Sequence, residues 1–249
     1  MAIVIRTPKE IAKMRRSGIA LRGVLDALRA SIAPGMSTMD LEKLAERKIA
    51  EAGAIAAFKG YHDYPCVLCT SVNSEVVHGI PSAKRILREG DVVSIDCGLI
   101  IDGYFSDSAI TLPVGTISAP AKALLEATEQ SLNAAIGVVK AGATLGDVGA
   151  AVQKVAESAG FSVVREFVGH GIGTQMHEEP QIPNYGRRGQ GIKLREGMVL
   201  AIEPMVNAGK HTVRVLEDGW TAVTVDGSLS AHFEHTVAVG SSGAEVLTA

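Results

Sequence analysis

The stretch LREGDVVSIDCG at residues 87–98 recurs as LREGMVLAIEPM at residues 194–205. The two copies share their four opening residues, one Val and the Ile before the closing acid. That acid is Asp96 in the first copy and Glu203 in the second, an offset of 107 residues. Chance rarely repeats so long a phrase in one chain. The offset therefore indicates an internal duplication that places an acid at the same position of each copy.

The segments before the two copies repeat at the same offset. Residues 32–53 and 139–160 share Gly, a hydroxyl residue, Asp and a second Gly at matching positions. A long repeat that occurs only twice is not typical of a solenoid, whose units have about 20 to 50 residues. It predicts one domain over residues 1–249 with similar halves at about 7–114 and 119–240, related by an approximate twofold axis. The two acids would face each other across that axis.

Composition excludes several classes of function. The chain has 249 residues, of which 47% are hydrophobic and 20% charged, so it can bury a sizeable core. A formal net charge of −3 with scattered Lys and Arg predicts neither a nucleic-acid-binding face nor a membrane-anchoring patch. The N-terminus lacks the apolar region of a signal peptide, and no run reaches the roughly 18 apolar residues of a membrane span. We therefore expect a cytoplasmic protein.

Three cysteines, an odd number in a long chain, argue against a disulfide framework. Cys66 and Cys69 have the CxxC spacing that is typical of zinc and redox sites. However, no second CxxC completes a zinc site, and no helical pattern follows the motif as it would in a thioredoxin-like protein. Zinc and redox functions of this motif are therefore disfavoured.

Helix signals come in pairs along the chain. Capping residues followed by apolar residues at helical spacing predict helices over about 7–32, 37–53, 119–140 and 144–160. Alternating apolar residues and turn signals predict nine strands, at 65–72, 75–80, 91–100, 103–112, 161–167, 198–206, 212–217, 221–227 and 233–240. The predicted class is α+β, a curved antiparallel sheet with helices on its outer face.

A tight turn at residues 102–103 predicts a hairpin in which Gly98 lies opposite Asp107. Asp96 shares the strand face of Gly98, since side chains alternate along a strand. Asp96 and Asp107 are then diagonal neighbours within roughly 7 to 8 Å. The local strand pattern supplies no Lys or Arg to neutralise them. Two half-buried carboxylates repel each other unless a proton or a metal ion lies between them.

The second half adds more potential ligands. His170 lies in a Gly-rich bend, and Glu203 and Glu234 each lie inside a predicted apolar strand. Any one of these residues alone is usually structural. One imidazole and four strand acids together have the composition of a metal centre. Such a set suits a pair of divalent ions such as Mn, Fe, Co or Zn better than a thiolate-type zinc site.

Five motifs carry a resemblance to a known family: SVNSEVVHGIP, DGYFSDSAIT, VGHGIGTQMHEEPQIPNYG, AIEPM and FEHT. Over about residues 7–239 the chain resembles the type I methionine aminopeptidases, which have the pita-bread fold. The resemblance implies a single catalytic domain that binds two divalent ions, with a monovalent cation in addition. It implies that Asp107 and Glu234 bridge both ions within a set of five ligands, Asp96, Asp107, His170, Glu203 and Glu234.

The resemblance also implies catalytic and binding roles. Glu203 would take a proton from the attacking water and pass it to the leaving amine. His177 would stabilise the oxyanion, and His78 would contact the scissile amide nitrogen. Phe58 and Met176 depart from the family pattern, in which Cys and Phe are common. The methionine side chain is expected among Phe58, Tyr61, Tyr64, Cys69, His78, Met176, His177 and Trp220.

The implied activity is removal of the N-terminal methionine from peptides and nascent proteins whose second residue is small. A monomer that associates transiently with the ribosome is expected, with no nucleic-acid specificity and no membrane partner. The nearest alternative is another pita-bread hydrolase, an X-Pro aminopeptidase or prolidase. A non-catalytic pita-bread binding protein is a further alternative, although such relatives have usually lost ligands and this chain retains all five.

Overall fold

The helices lie where their capping signals predict them. In a computed structural model, which describes residues 2–249, they are α1 (Pro8–Ser31), α2 (Thr38–Glu51), α3 (Ala119–Val138) and α4 (Leu145–Ser158). Three of them begin with a capping box. In each box a cap hydroxyl, from Thr7, Ser37 or Thr144, accepts from the backbone N–H of an acid that bonds back to the cap. All four predicted helices are confirmed.

The strands pair in antiparallel fashion and divide among four sheets of four, three, three and five strands within residues 2–249. The predicted α+β class is confirmed, and the strands form these separate sheets rather than one continuous ladder. The strands are β1 (Ile55–Ala56), β2 (Leu68–Val72), β3 (Glu75–Val77), β4 (Val92–Ile101), β5 (Tyr104–Pro113), β6 (Ser162–Val163), β7 (Gly169–Gly171), β8 (Glu178–Ile182), β9 (Val199–Ile202), β10 (Met205–Asn207), β11 (Val213–Val215), β12 (Ala222–Thr224), β13 (Ser230–His232), β14 (His235–Val239) and β15 (Ala244–Val246).

Two strand predictions around the acids are wrong. The strand predicted at 198–206 is interrupted between β9 and β10, at Glu203 and Pro204, because proline has no N–H for the ladder. The strand predicted at 233–240 begins only at His235. Glu203 and Glu234 therefore lie at strand ends and not inside strands.

Other differences concern short strands. The strand predicted at 161–167 is reduced to the two residues of β6. The sequence pattern misses β1, β7, β13 and β15, which have two or three residues each and are too short to show alternation. It also misses β8, whose Pro180 disfavours a strand assignment.

The same backbone contacts occur in both copies of the repeat. Ser37 forms a bridge with Ile86, and at the offset of the repeat Thr144 forms one with Lys193. The N–H of Gly35 donates to the carbonyl of Leu87 at 2.8 Å. The corresponding residues, 142 and 194, make the same bond at 2.9 Å. These contacts support the division into two similar halves, which stays a prediction.

Each helix pair covers a hydrophobic core of its own half. Buried side chains of α1 and α2 pack against β2, β4 and β5, whereas those of α3 and α4 pack against β9, β13 and β14. In β4 the odd-numbered residues 93–99 belong to the first core. Asp96 is even-numbered, so its carboxylate lies on the face away from the helices. Over residues 2–249 no helix combines the length and the apolar character that crossing a bilayer requires.

Candidate metal centre

The hairpin of β4 and β5 brings the first two acids together. Its turn places Asp102 at φ 51° and Gly103 at φ 77°. The strands pair in the predicted register, with Gly98 opposite Asp107. Asp96 lies opposite Ala109, which is two residues after Asp107 on β5. The carboxylates of Asp96 and Asp107 are therefore diagonal neighbours on one face of the hairpin. The prediction from turn position and strand parity is confirmed.

The two acids of the second half reach this hairpin from strand ends. Glu203 follows β9 directly, and Glu234 lies between β13 and β14. The backbone N–H of Glu234 donates to the carbonyl of Ala109 at 2.9 Å. The carbonyl of Glu234 accepts from the Ser108 hydroxyl at 2.7 Å. Glu234 is thus fixed beside Asp107 by bonds between the two halves.

His170 lies on a strand, not in the predicted bend. It belongs to β7 and pairs with Ala201 of β9, which gives it a fixed direction that the Gly-rich sequence does not suggest. Its Nδ1 lies 2.9 Å from the carbonyl of Gly171. Its Nε2 lies 3.8 Å from Asp107 Oδ2 and 3.7 Å from Glu203 Oε1. Burial lowers the pKa of His170 to about 3, so the ring is neutral at pH 7.

The four carboxylates are concentrated in an electrostatically unfavourable place. Burial raises the pKa of Asp96 to about 7. Burial, and then the charges of the neighbouring acids, raises the pKa values of Asp107, Glu203 and Glu234 well above their usual range. Within residues 2–249 these carboxylates form no ion pair with Lys or Arg. Protons or metal cations are therefore needed to stabilise the cluster.

The donor set fits metal ions. Ligand atoms of Asp107, His170 and Glu234 all lie within 4.8 Å of one another. Three buried carboxylate oxygens lack a hydrogen-bond partner, namely Asp96 Oδ1, Asp107 Oδ1 and Glu234 Oε1. Unpaired buried oxygens are costly in a protein interior, and a divalent cation would satisfy them. The residues present therefore suit one or more divalent ions.

All thirteen predicted site residues line one cavity of about 280 Å³. The acids and His170 form one end of this cavity. Aromatic and sulfur-containing side chains form the other end, where Tyr64 and Trp220 meet edge to face at 5.0 Å. The thirteen are Phe58, Tyr61, Tyr64, Cys69, His78, Asp96, Asp107, His170, Met176, His177, Glu203, Trp220 and Glu234.

Two further imidazoles lie near the acids. His177 Nδ1 is 2.7 Å from the Tyr61 hydroxyl, and its ring is 4.3 Å from that of His170. His78 adopts the left-handed conformation, at φ 61°, which is uncommon for a residue with a side chain. Its ring packs edge to face against Trp220 and Phe167. Both imidazoles are therefore held in place before any substrate binds.

The structure explains how the cavity accepts the unusual Phe58. A Cβ atom added to Gly98 would lie 2.8 Å from the Phe58 ring, so the ring fits only because residue 98 is glycine. Met176, the other departure from the family pattern, is buried in the same apolar wall. Both substitutions are thus accommodated in the apolar end and leave the acids in place.

Two histidines near the acids are absent from the predicted site residues. His62 lines the cavity mouth, and only its position beside Tyr61 could have indicated this. His232 is buried, and its Nε2 lies 3.7 Å from Glu203 Oε2. That Nε2 has no hydrogen-bond partner. The spacing of two residues between His232 and Glu234 in an alternating segment is the signal that could have found it.

The CxxC motif divides between two environments. Cys69 lines the cavity, whereas Cys66 does not. Cys66, Cys69 and Cys97 are all buried free thiols. Burial raises the pKa of Cys66 to about 11, so this thiol is protonated and unreactive at pH 7.

The sequence profile of metallopeptidase family M24 matches residues 12–241. The chain belongs to metallopeptidase family M24. It is 50% identical to methionine aminopeptidase 1 of Bacillus subtilis over 246 residues, covering 99% of both chains. It is 45% identical to the methionine aminopeptidase of Escherichia coli, covering 100% of this chain and 94% of the relative. The predicted resemblance to methionine aminopeptidases is confirmed.

Solved members of family M24 share the fold. The methionine aminopeptidase of Thermotoga maritima superposes with a TM-score of 0.98 at 48% identity, covering 99% of each chain. The prolidase of Pyrococcus furiosus superposes with a TM-score of 0.77 at 23% identity, and the match covers 65% of that longer chain. At 23% identity, the similarity to the prolidase shows a shared fold and nothing more. The prediction of a pita-bread fold is confirmed.

Proposed function

We propose that this chain removes the N-terminal methionine from peptides and nascent proteins whose second residue is small. The observation that carries the proposal is a single cavity with a cluster of metal-binding residues at one end and an apolar pocket at the other. In such an arrangement the apolar pocket binds a side chain of the substrate, and the metal-binding end hydrolyses the peptide bond next to it. The full-length similarity to methionine aminopeptidases supports the choice of methionine.

We assign two divalent ions, from among Co, Mn, Fe and Zn, to the acids and His170. Asp107 and Glu234, the most buried of the acids, would contribute to both ions. When bound, such ions supply a water of lowered pKa and a Lewis acid for the scissile carbonyl. They also give the free α-amino group of the substrate a place to bind, which accounts for cleavage at the first peptide bond only. A monovalent cation is included in the proposal on the family resemblance.

Tyr61 sets the hydrogen-bonding state of His177. Burial raises the pKa of Tyr61, so its hydroxyl remains a donor at pH 7. When it donates to His177 Nδ1, the proton of the neutral ring must reside on Nε2. His177 can then donate Nε2–H to the scissile carbonyl oxygen as negative charge develops on it.

Glu203 and His78 handle the remaining proton and the leaving group. The carboxylate of Glu203 would take a proton from the attacking water and deliver it to the amine nitrogen as the C–N bond breaks. Burial lowers the pKa of His78 to about 4, so its neutral ring can accept the N–H of the scissile amide. Phe167 and Trp220 fix the plane of that ring.

The apolar end suits a methionine side chain. The Tyr64 hydroxyl donates to the carbonyl of Leu68 at 2.9 Å, so the backbone satisfies its polar end. Burial raises the pKa of the Cys69 thiol, which stays neutral. Met176 and Trp220 add soft, polarisable surface that favours a thioether. A charged first residue would find no partner there.

The wider setting of the activity is part of the same proposal. Three buried free thiols suit a reducing, cytoplasmic compartment. There a monomer would meet nascent N-termini during transient association with the ribosome.

Peptide hydrolysis tests the proposed function. Peptides beginning Met-Ala, Met-Leu, Leu-Ala and Ala-Pro should be incubated with the protein, with chelator and with added Mn or Co. We expect methionine release from Met-Ala alone and loss of activity with chelator. Cleavage confined to Ala-Pro would replace the proposal by an X-Pro aminopeptidase. Equal cleavage of Leu-Ala would remove the methionine preference, and no hydrolysis at all would favour a binding protein.

A further inference from the structure

Arg6 is a buried cation that lies outside the cavity. Only 5% of its side chain is exposed, and its guanidinium bonds both carboxylate oxygens of Glu178, whose side chain is 9% exposed. Arg6 Nη1 also lies 3.8 Å from Glu10 Oε1 at the start of α1. The backbone N–H of Arg6 donates to the carbonyl of Gly197 at 2.7 Å. The N-terminal segment is thereby anchored beside the residues that precede β9.

Glu178 is the last residue of the segment 173–178, which carries the cavity residues Met176 and His177. This carboxylate directly follows His177, and its Oε1 accepts from the backbone N–H groups of Thr174 and Gln175 at 2.9 and 3.2 Å. Met176 lies between these donors and His177. The segment 173–178 is therefore folded around one buried carboxylate.

The guanidinium is what allows that carboxylate to remain in place. A buried carboxylate without a countercharge is strongly unfavourable, and here one guanidinium nitrogen, Arg6 Nη2, bonds both of its oxygens. Without Arg6, the carboxylate of Glu178 would turn towards water and release the two amides. His177 and Met176 would then lose the fixed backbone that directs them into the cavity.

We propose that Arg6 is a positioning residue for the hydrolysis: through Glu178 it holds segment 173–178 so that His177 faces the scissile carbonyl and Met176 closes the methionine pocket. The inference rests on the proposed function and deepens it. Arg6 touches neither substrate nor metal and acts only through Glu178.

Kinetics of Arg6→Gln test the inference. We expect kcat for a Met-Ala peptide to fall about 10-fold to 100-fold, as misplaced catalytic groups do, with a smaller rise in KM. Arg6→Lys keeps the positive charge but carries it on a shorter side chain than the guanidinium, so it should recover part of kcat. The matched control is Arg15→Gln, because Arg15 pairs with Glu245 at an exposed site. Arg6→Gln with kcat within twofold of the unaltered protein would overturn the proposal.

Amide exchange provides a readout independent of activity. In Arg6→Gln the amides of Thr174 and Gln175 should exchange at least about 10-fold faster, since their acceptor is released. Amides of α3 should keep their protection. Equally faster exchange throughout α3 would assign Arg6 to global stability and overturn the proposal. Absence of methionine release by the unaltered protein would refute the proposed function, while this exchange result would still decide the Arg6 contact.

Gly173 offers a second variant that leaves Arg6 in the chain. A Cβ at Gly173 would overlap the Arg6 guanidinium, whose atoms are its nearest neighbours, and the φ of Gly173 is not positive, so alanine strains this contact first. Gly173→Ala should therefore reproduce the kinetic effect of Arg6→Gln. Gly137→Ala is the matched control, because open space surrounds Gly137 on α3. Unchanged kcat in Gly173→Ala, with Thr174 and Gln175 exchange also unchanged, would contradict the proposed coupling.

Discussion

The Thr236 hydroxyl serves both backbone groups of Asp107. It accepts from the Asp107 N–H at 3.0 Å and donates to the Asp107 carbonyl at 2.8 Å. Thr236 lies on β14 in the second half and Asp107 on β5 in the first. A single side chain thus replaces a strand pairing at the point where a candidate metal ligand joins the two halves.

Thr236→Val should destabilise the protein without changing the shape of the side chain much. Two buried backbone groups of Asp107 would lose their partner, at a cost of at least about 2 kcal/mol in the free energy of unfolding. Urea unfolding in the presence of chelator measures this loss. The exposed Thr116, changed to Val, is the control and should stay within about 0.5 kcal/mol. A Thr236→Val protein as stable as that control would contradict the interpretation.

Asp107→Asn should affect activity and stability in opposite directions. Loss of a carboxylate from the candidate metal centre should abolish methionine release, even with added Mn or Co. Burial and neighbouring acids raise the pKa of Asp107, so a neutral amide relieves repulsion and should stabilise the metal-free protein at pH 8. Peptide assays and thermal unfolding in chelator measure the two effects.

Asp102→Asn is the matched control for that experiment. Asp102 occupies the exposed turn of the same hairpin, where Asn also tolerates a positive φ. It should keep near-normal activity. Normal turnover of Asp107→Asn would remove Asp107 from the metal centre.

His177→Ala should lower kcat far more than it raises KM. A donor that acts on the developing oxyanion contributes on the order of 10² to 10³ in rate. Tyr61→Phe should give a smaller loss of kcat, because it removes only the hydroxyl that selects the ring tautomer. Steady-state kinetics on a Met-Ala peptide separate the two parameters. A change confined to KM would assign His177 to substrate binding.

His78 should make the folded state less stable in acid. Burial lowers its pKa from 6.5 to about 4, so between these values the unfolded chain binds the extra proton. Stability from this group is therefore complete above pH 6.5 and is lost as the pH falls towards 4. At pH 5 the loss amounts to at most about 2 kcal/mol. Urea unfolding of the metal-free protein at pH 7.5 and pH 5 measures the loss in the free energy of unfolding. We expect a smaller loss in His78→Gln than in the unaltered protein, and identical losses would contradict the assignment.

Phe58 and Gly98 should control the width of the methionine pocket from opposite sides. Phe58→Cys removes a ring from the apolar wall, so cleavage of Leu-Ala relative to Met-Ala should rise on the order of 10-fold. Gly98→Ala would push the ring into the pocket and should reduce the use of bulky first residues. Comparative kcat/KM values measure both effects. An equal change of preference in both variants would contradict the proposed packing.

Local chemistry made part of this molecule predictable. Helix bounds followed from caps and apolar spacing, because a capping box involves residues only three apart in the chain. The register of the β4–β5 hairpin followed from its turn, because the position of the turn fixes which residues of the two strands lie opposite each other. The neighbouring positions of Asp96 and Asp107 could therefore be predicted before the structure was known.

Contacts between distant parts of the chain were beyond such reasoning. Glu203 lies at a strand end because of the adjacent Pro204, a local signal that the strand prediction overlooked. Glu234 lies outside its strand because it bonds to β5, a contact that no local pattern records. His170 owes its direction to pairing with β9 and not to its own Gly-rich surroundings. Alternation therefore placed Glu203 and Glu234 in the wrong local structure, and the Gly-rich sequence did the same for His170.

The sequence by itself determined the internal repeat, the helices, the hairpin register and the residue types of the candidate metal centre, because each depends on neighbours in the chain or on a repeat visible within it. Only the tertiary structure decided that thirteen predicted residues share one cavity with His62. It alone placed His232 against Glu203 and Arg6 against Glu178, a pair separated by 172 residues. Such contacts depend on how the two halves and the N-terminal segment pack together, and packing is a property of the whole chain rather than of any local stretch.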